Sequence, residues 1–228
     1  MTREFDLGGV RPWGRRLSEY RAFFALDDAL DGPILDVGAG PSSFAAEATA
    51  QGISVMAIDP IYRQDAQTIR SGFSATAEAM KAGLERAAYR FVWDYYGSPD
   101  AVYRLRQEAL DLFLADFENS RDHDRYLAEA LPALSFPDRS FRLALCSHLL
   151  FLYSEELDLE FHIRSILELL RVADEIRIFP LIALNGEPSR HLGPVVEAMR
   201  AHGAIAELAA VPFEFQKGAT QMLRLLRN

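Results

Sequence analysis

Cysteine is nearly absent: the 228-residue chain has one, Cys146. A lone thiol excludes an intramolecular disulfide and a cysteine-rich metal site. No apolar run approaches the ~18–20 residues that a bilayer-spanning helix needs. Residues 1–20 are charged and lack the apolar core of a signal peptide, so a cytoplasmic location with no membrane partner is expected. A basic stripe is also missing. Lys and Arg number 24 against 33 Asp and Glu, for a formal net charge of −9. Arg15-Arg16 and the pair Arg224 and Arg227 are too short and isolated to neutralise a phosphate backbone. A small-molecule partner is therefore expected, and no nucleic acid. There is no repeat, low-complexity tract or linker, so the expectation is one domain over 1–228.

What is present is a globular balance, 50% hydrophobic and 25% charged. Residues 14–30 read as an amphipathic helix with Leu17, Tyr20, Phe23, Phe24 and Leu26 on one side. Asp31-Gly32-Pro33 ends it. A short β-rich run, Ile34-Leu35-Asp36-Val37, leads into Gly38-Ala39-Gly40. A helix over 42–51 follows, stopped by Gly52. A second strand, 53–58, ends at Asp59-Pro60. This is one βαβ unit. Alternation then gives way to helical patterns at 66–89 and 101–117, read as a helical insertion over about 62–124. Strands are expected at 125–130, 141–147 and 175–184, with helices at 157–172 and 194–202. The runs 205–215 and 220–226 are joined too closely for a crossover and must form an antiparallel hairpin.

The turn after the first strand carries the chemistry. Glycines there let backbone approach a ligand, and the following helix offers free N–H groups. A dinucleotide fingerprint wants a third glycine, where this chain has Ser43. Asp36 stands two residues before the first glycine. A carboxylate there repels a pyrophosphate and suits a cationic group such as the amine of a methionyl tail. Asp59 can accept ribose hydroxyls, a feature that dinucleotide enzymes share.

Ile34-Leu35-Asp36-Val37-Gly38-Ala39-Gly40 resembles motif I of class I S-adenosylmethionine (SAM)-dependent methyltransferases. Ala57-Ile58-Asp59-Pro60 is similar to the acidic end of their second strand. The run from Leu134-Ser135-Phe136-Pro137-Asp138-Arg139-Ser140-Phe141 to His148 resembles their LPFPDxSFDLV stretch, departing at Ser135 and Arg142. The N-terminal Gly14-Arg15-Arg16-Leu17-Ser18-Glu19-Tyr20 is similar to a helix found in a group of small bacterial methyltransferases. The likeness covers about 30–60 and 125–228. It implies an α/β, Rossmann-like methyltransferase sheet, mostly parallel with an antiparallel C-terminal strand, plus the N-terminal helix and the helical insertion. It implies SAM as cofactor. The implied contacts begin with Asp36, Gly38, Ala39 and Gly40 and continue through Ser42, Ser43 and Phe44. Asp59 and Pro60 complete the ribose side, Ala130 and Leu131 the adenine side, and Ser147 the fourth strand.

His148 follows the fourth strand, where open α/β sheets bind ligands. It is a candidate general base; the alternative is a histidine bonded to cofactor or loop backbone. Arg15, Tyr20 and Trp93 are candidate acceptor-binding residues, with surface or core roles as the alternatives. His123 with Asp122 and Asp124 reads as a solvated loop, because no partner spacing supports a metal. The Asn/Asp-Pro-Pro-Tyr/Phe motif of nucleic-acid amine methylation is absent from Cys146-Ser147-His148-Leu149. The leading expectation is methyl transfer to a small molecule by in-line displacement. The alternatives are a catalytically silent SAM-binding module and, disfavoured by Asp36, Ser43 and the hairpin, an NAD-dependent oxidoreductase.

Overall fold

A computed structural model describes residues 13–27, 30–120 and 125–228. Asp122, His123 and Asp124, expected from sequence to form a solvated loop, lie outside the described residues. The sheet is seven-stranded, ordered β3-β2-β1-β4-β5-β7-β6. Its central strands are β1 (Ile34–Val37), β2 (Val55–Ile58), β4 (Phe141–Ser147) and β5 (Ala173–Phe179). These pair in parallel, and β3 (Tyr126–Leu127) adds in parallel beside β2. β7 (Gln221–Leu226) runs antiparallel between β5 and β6 (Ile205–Ala210). The order with its single reversed strand is the mostly parallel sheet with an antiparallel C-terminal strand that the sequence led one to expect. All four residues of β1 are buried, as expected of a parallel strand covered on both faces.

Helices α1 (Leu17–Phe24), α2 (Phe44–Ala50), α3 (Ala66–Arg86) and α4 (Pro99–Asn119) contribute to the core on one side. Helices α5 (Leu159–Val172) and α6 (Leu192–Ala201) contribute to the other. Local chemistry sets the ends. Asp65, Ser98 and Asp158 cap α3, α4 and α5 by accepting N–H bonds from the first turn. Pro99 occupies the first turn of α4, where its missing N–H costs nothing. Gly52 and Gly203, at φ of 83° and 86°, follow α2 and α6.

One expectation is corrected. The segment 62–124 is not wholly an insertion that the sheet could do without. β2 and β3 are parallel neighbours, and a parallel pair needs a crossover. α4 supplies it, packing beside α2. The extra material is α3 with the aromatic stretch that follows it. The expected strand over 125–130 also shortens to Tyr126–Leu127.

Candidate active site

The strand order reverses direction at β1, whose neighbours are β2 and β4. The crevice beyond their C-terminal ends is where such sheets bind ligands. Past β1 the chain turns through Gly38 and Gly40, at φ of 62° and 58°. A Cβ on Gly38 would lie 2.7 Å from Leu149 Cδ2, so the leucine would have to shift, and the positive φ disfavours any side chain there. The turn is tied to β2. Gly38 and Ala39 donate to the Ile58 carbonyl at 2.9 and 3.2 Å. Asp59 Oδ2 accepts from Gly40 N and Oδ1 from Ile61 N, both at 2.9 Å. Tyr62 donates its hydroxyl to the Gly40 carbonyl at 2.8 Å. Burial pushes the Asp59 carboxyl up, and the two backbone donors oppose that.

The N-terminal segment closes over this turn. A Cβ on Gly14 would stand 1.9 Å from the Pro41 carbonyl oxygen, so only glycine permits the approach. Ser43 N donates to the Arg15 carbonyl at 3.0 Å, and Ser42 Oγ donates to the same oxygen. The Tyr20 ring stacks on Phe44, centroids 4.2 Å apart, and its hydroxyl lies 2.9 and 3.0 Å from the two Asp36 oxygens. Burial first, against the Tyr20 bond, and then the Asp59 charge push Asp36 up to about 8.

A cavity of about 300 Å³ lies beyond the strand ends. Gly38, Ala39, Gly40, Asp59, Pro60 and Ser147 line it, with Ala130 and Leu131 in its wall. Trp13, Arg15, Tyr20 and His148 line it as well. Asp36, Ser42, Ser43 and Phe44 are not in its wall. They stand behind it, holding Tyr20 and the Arg15 backbone. Sequence reasoning missed Glu129 and Phe161, which also line the cavity. Phe161 comes from α5, whose distance in sequence hid it.

A second, smaller cavity of about 80 Å³ adjoins the first. The two share Trp13, Arg15 and His148. Phe91, Phe179, Phe213 and Phe215 give the second an aromatic lining, and Met80 and Leu84 of α3 cover it. Trp93 lines neither cavity. Its ring packs on Phe91 and Phe215, and its Nε1 donates to the Ala88 carbonyl, so the structure places it in the support of the aromatic wall. The residues from the β6–β7 connection were not legible as a site, because a hairpin turn in sequence carries no sign of what it folds against.

His148 sits at the junction with φ of 54°, a left-handed conformation unfavourable for a side-chain-bearing residue. Its N–H donates to the Phe179 carbonyl at 2.6 Å, and its Nδ1 pairs with Ser147 Oγ at 2.8 Å. Burial, then the charges of Arg15 and Arg106, hold the imidazole well below its usual range, so the ring is neutral at pH 7.

No family model matches the chain. It is 32% identical over 217 residues to the uncharacterized protein MJ0045 of Methanocaldococcus jannaschii, covering 94% of this chain and 95% of the relative. Among solved structures, the magnesium protoporphyrin IX methyltransferase of Synechocystis PCC 6803 with bound SAM is similar at 12% identity. Its TM-score is 0.48, over 93% of this chain and 78% of that one. A SAM-dependent methyltransferase from Methanosarcina mazei is similar at 16% identity and TM-score 0.45, over 88% and 92%. Another from Aquifex aeolicus is similar at 14% identity and TM-score 0.41, over 85% and 81%.

Proposed function

This chain belongs to the family of the M. jannaschii protein MJ0045, and we propose that it is a SAM-dependent methyltransferase acting on a small molecule. One observation carries the reading. Asp59 ends β2 at the lip of the larger cavity, clamped to the Gly38–Gly40 turn at the point where the strand order reverses. A carboxylate so held supports the reading of Asp59 as an acceptor for ribose hydroxyls, beside backbone that a cofactor can approach closely.

In this reading the adenine lies against Ala130, Leu131 and Phe161. The ribose hydroxyls donate to Asp59, whose two oxygens keep lone pairs beyond those given to Gly40 and Ile61. Gly38 and Tyr20, both in the cavity wall, would hold the methionyl tail. Asp36 acts from behind: its carboxyl, pushed up to about 8 by burial, fixes the Tyr20 hydroxyl. The cofactor, when bound, would supply an electrophilic sulfonium methyl for transfer to an acceptor held beside Trp13, Arg15 and His148. His148, neutral and fixed by Ser147 and Phe179, positions the acceptor there. In-line holding of donor and acceptor supplies much of the rate.

Calorimetry on the purified protein tests the cofactor. SAM and S-adenosylhomocysteine should bind, and NADH should not. Heat with NADH and none with either sulfur ligand would overturn the reading. Binding of SAM without transfer to any acceptor would leave a silent module.

A further inference from the structure

We propose that the second cavity is the acceptor site and that its acceptor is a small apolar carboxylic acid, methylated on its carboxylate oxygen and held by Arg15 and Trp13. The inference rests on the methyltransferase reading above.

The first ground is a buried guanidinium, Arg15, that among the described residues has no ion pair and leaves one nitrogen unbonded. Arg15 lies where the two cavities meet. Its Nη1 donates to the Trp13 carbonyl at 2.8 Å, while its Nε is buried without a hydrogen-bond partner. Glu19, the acid whose charge acts on Arg15, is already engaged. Its oxygens accept from both terminal nitrogens of Arg106, from the Tyr96 hydroxyl and from Arg16 N. So two guanidinium groups, Arg15 and Arg106, share one carboxylate among the described residues. Trp13 Nε1, in the same shared wall, is a second buried donor with no acceptor. Buried donors left unpaired are costly, and a buried cation more so. A carboxylate at the junction satisfies both donors and balances the charge.

The second ground is that, among the described residues lining the second cavity, none is Asp or Glu. His148 is the imidazole at the junction, and its Nδ1 partner is Ser147 Oγ rather than a carboxylate. Both Asp36 oxygens lie at the Tyr20 hydroxyl, behind the cavity wall. An alcohol or amine acceptor must shed a proton during transfer; a carboxylate arrives without one. A carboxylate oxygen lone pair attacks the methyl carbon as the carbon–sulfur bond breaks, its electron pair staying on sulfur. Anion and sulfonium become a neutral methyl ester and a neutral thioether, with no proton taken or released. An enclosed apolar site favours a step that removes opposite charges.

The lining sets the rest of the molecule. The cavity of about 80 Å³ is aromatic and aliphatic, with Gln216 at its edge. An engineered cavity of ~150 Å³ holds benzene, so a short branched chain fits here as it stands. A single ring fits once Met80 and Leu84 yield; methionine is the more adaptable of the two.

The test supplies isotopically methyl-labelled SAM with isovalerate, benzoate or phenylacetate, and in parallel with isovaleramide and benzyl alcohol. Label should move to at least one acid, into a product that releases methanol on mild base, and not to the amide or alcohol. Arg15→Lys, with Arg15→Gln as a second variant, should lower kcat/KM for that acid roughly 10- to 100-fold, as loss of a charge-assisted pair does. S-adenosylhomocysteine affinity should move by about threefold or less, a change of under 1 kcal/mol. Base-stable label on the alcohol or amide, or no transfer to any acid by protein that binds SAM, overturns the inference and leaves the cofactor reading intact. Equal losses in S-adenosylhomocysteine affinity and in kcat/KM also overturn it, by assigning Arg15 to the methionyl carboxylate. Failure to bind SAM overturns the cofactor reading itself.

Discussion

Glu19 on α1 and Arg106 on α4 form an ion pair with side chains only 1% and 2% exposed. It joins the segment over the cofactor turn to the helix that carries the chain from β2 to β3. The Tyr96 hydroxyl donates to the same carboxylate, and Arg106 reaches the Gly14 carbonyl at 3.1 Å. The N-terminal cap is thus fixed from the crossover side by a network whose members are almost all satisfied.

Breaking that pair should be severe. Glu19→Gln or Arg106→Met alone leaves a buried charge without its partner, a cost of about 3–5 kcal/mol. The double variant should recover part of the loss, because neither charge then remains; urea denaturation reads all three. Burial opposes ionisation of Glu19, but Arg106 outweighs it and holds the carboxyl below its usual range. A depressed folded pKa gives stability that is present above the unfolded value and lost as pH falls through the folded one. Wild type should therefore lose this contribution on acidification below about pH 4, the unfolded carboxylate range. The difference between wild type and Glu19→Gln should shrink there.

Asp36 behaves in the opposite sense. Its folded pKa is raised to about 8, so the folded state holds the proton more tightly than the unfolded state. The associated stability is full below the unfolded carboxylate pKa, about 4, and declines as pH rises toward the folded value. Asp36→Asn keeps an acceptor for the Tyr20 hydroxyl and removes the titration. Thermal melts should show the variant gaining on wild type from about pH 4 up to about pH 8, then levelling. A constant difference across that window would mean that Asp36 titrates normally.

Asp59 supports the turn and the proposed ribose site with the same two oxygens. Asp59→Asn removes the charge and leaves one oxygen where there were two. Loss of charge-assisted hydrogen bonds costs roughly 1.5–3 kcal/mol, or about 10- to 100-fold in S-adenosylhomocysteine affinity by calorimetry. The thermal midpoint should fall less than it does for either Glu19 or Arg106 variant. Unchanged affinity in a folded variant would place the ribose elsewhere.

Much of this was readable from sequence where local pattern and burial agree. β4 is found over 141–147 as its apolar run predicts, and the hairpin pairs as its short connection requires. Asp59, Gly38 and Gly40 reach the cavity because a βαβ turn fixes them locally. Asp36 does not, since a four-residue strand buried on both faces turns it inward to Tyr20. Arg106 left a signal that was not used: it lies in the apolar row Val102, Arg106, Ala109, Phe113 and Phe117, where a charge demands a buried partner. The second cavity left none, because its wall joins the loop after α3 to the β6–β7 connection, more than a hundred residues on.

His148 offers a test that separates backbone from side chain. At φ of 54° a residue with a Cβ carries left-handed strain of ~1–2 kcal/mol, which glycine does not. Its ring packs edge-on against Phe23 and Phe179, with centroids at 4.9 and 5.5 Å. His148→Ala loses that packing and keeps the strain; His148→Gly loses the packing and the strain together. Glycine loses about 0.5–1 kcal/mol through unfolded-chain entropy, so His148→Gly should still equal or exceed His148→Ala in stability, by up to about 1.5 kcal/mol. The two variants should nonetheless share one reduced methyl-transfer rate, because both lack the ring proposed to position the acceptor. Denaturant melts and single-turnover transfer on the same preparations measure the two quantities. An alanine variant clearly more stable than the glycine one would show that the backbone at 148 is relaxed. Transfer at the wild-type rate in both would remove His148 from the site.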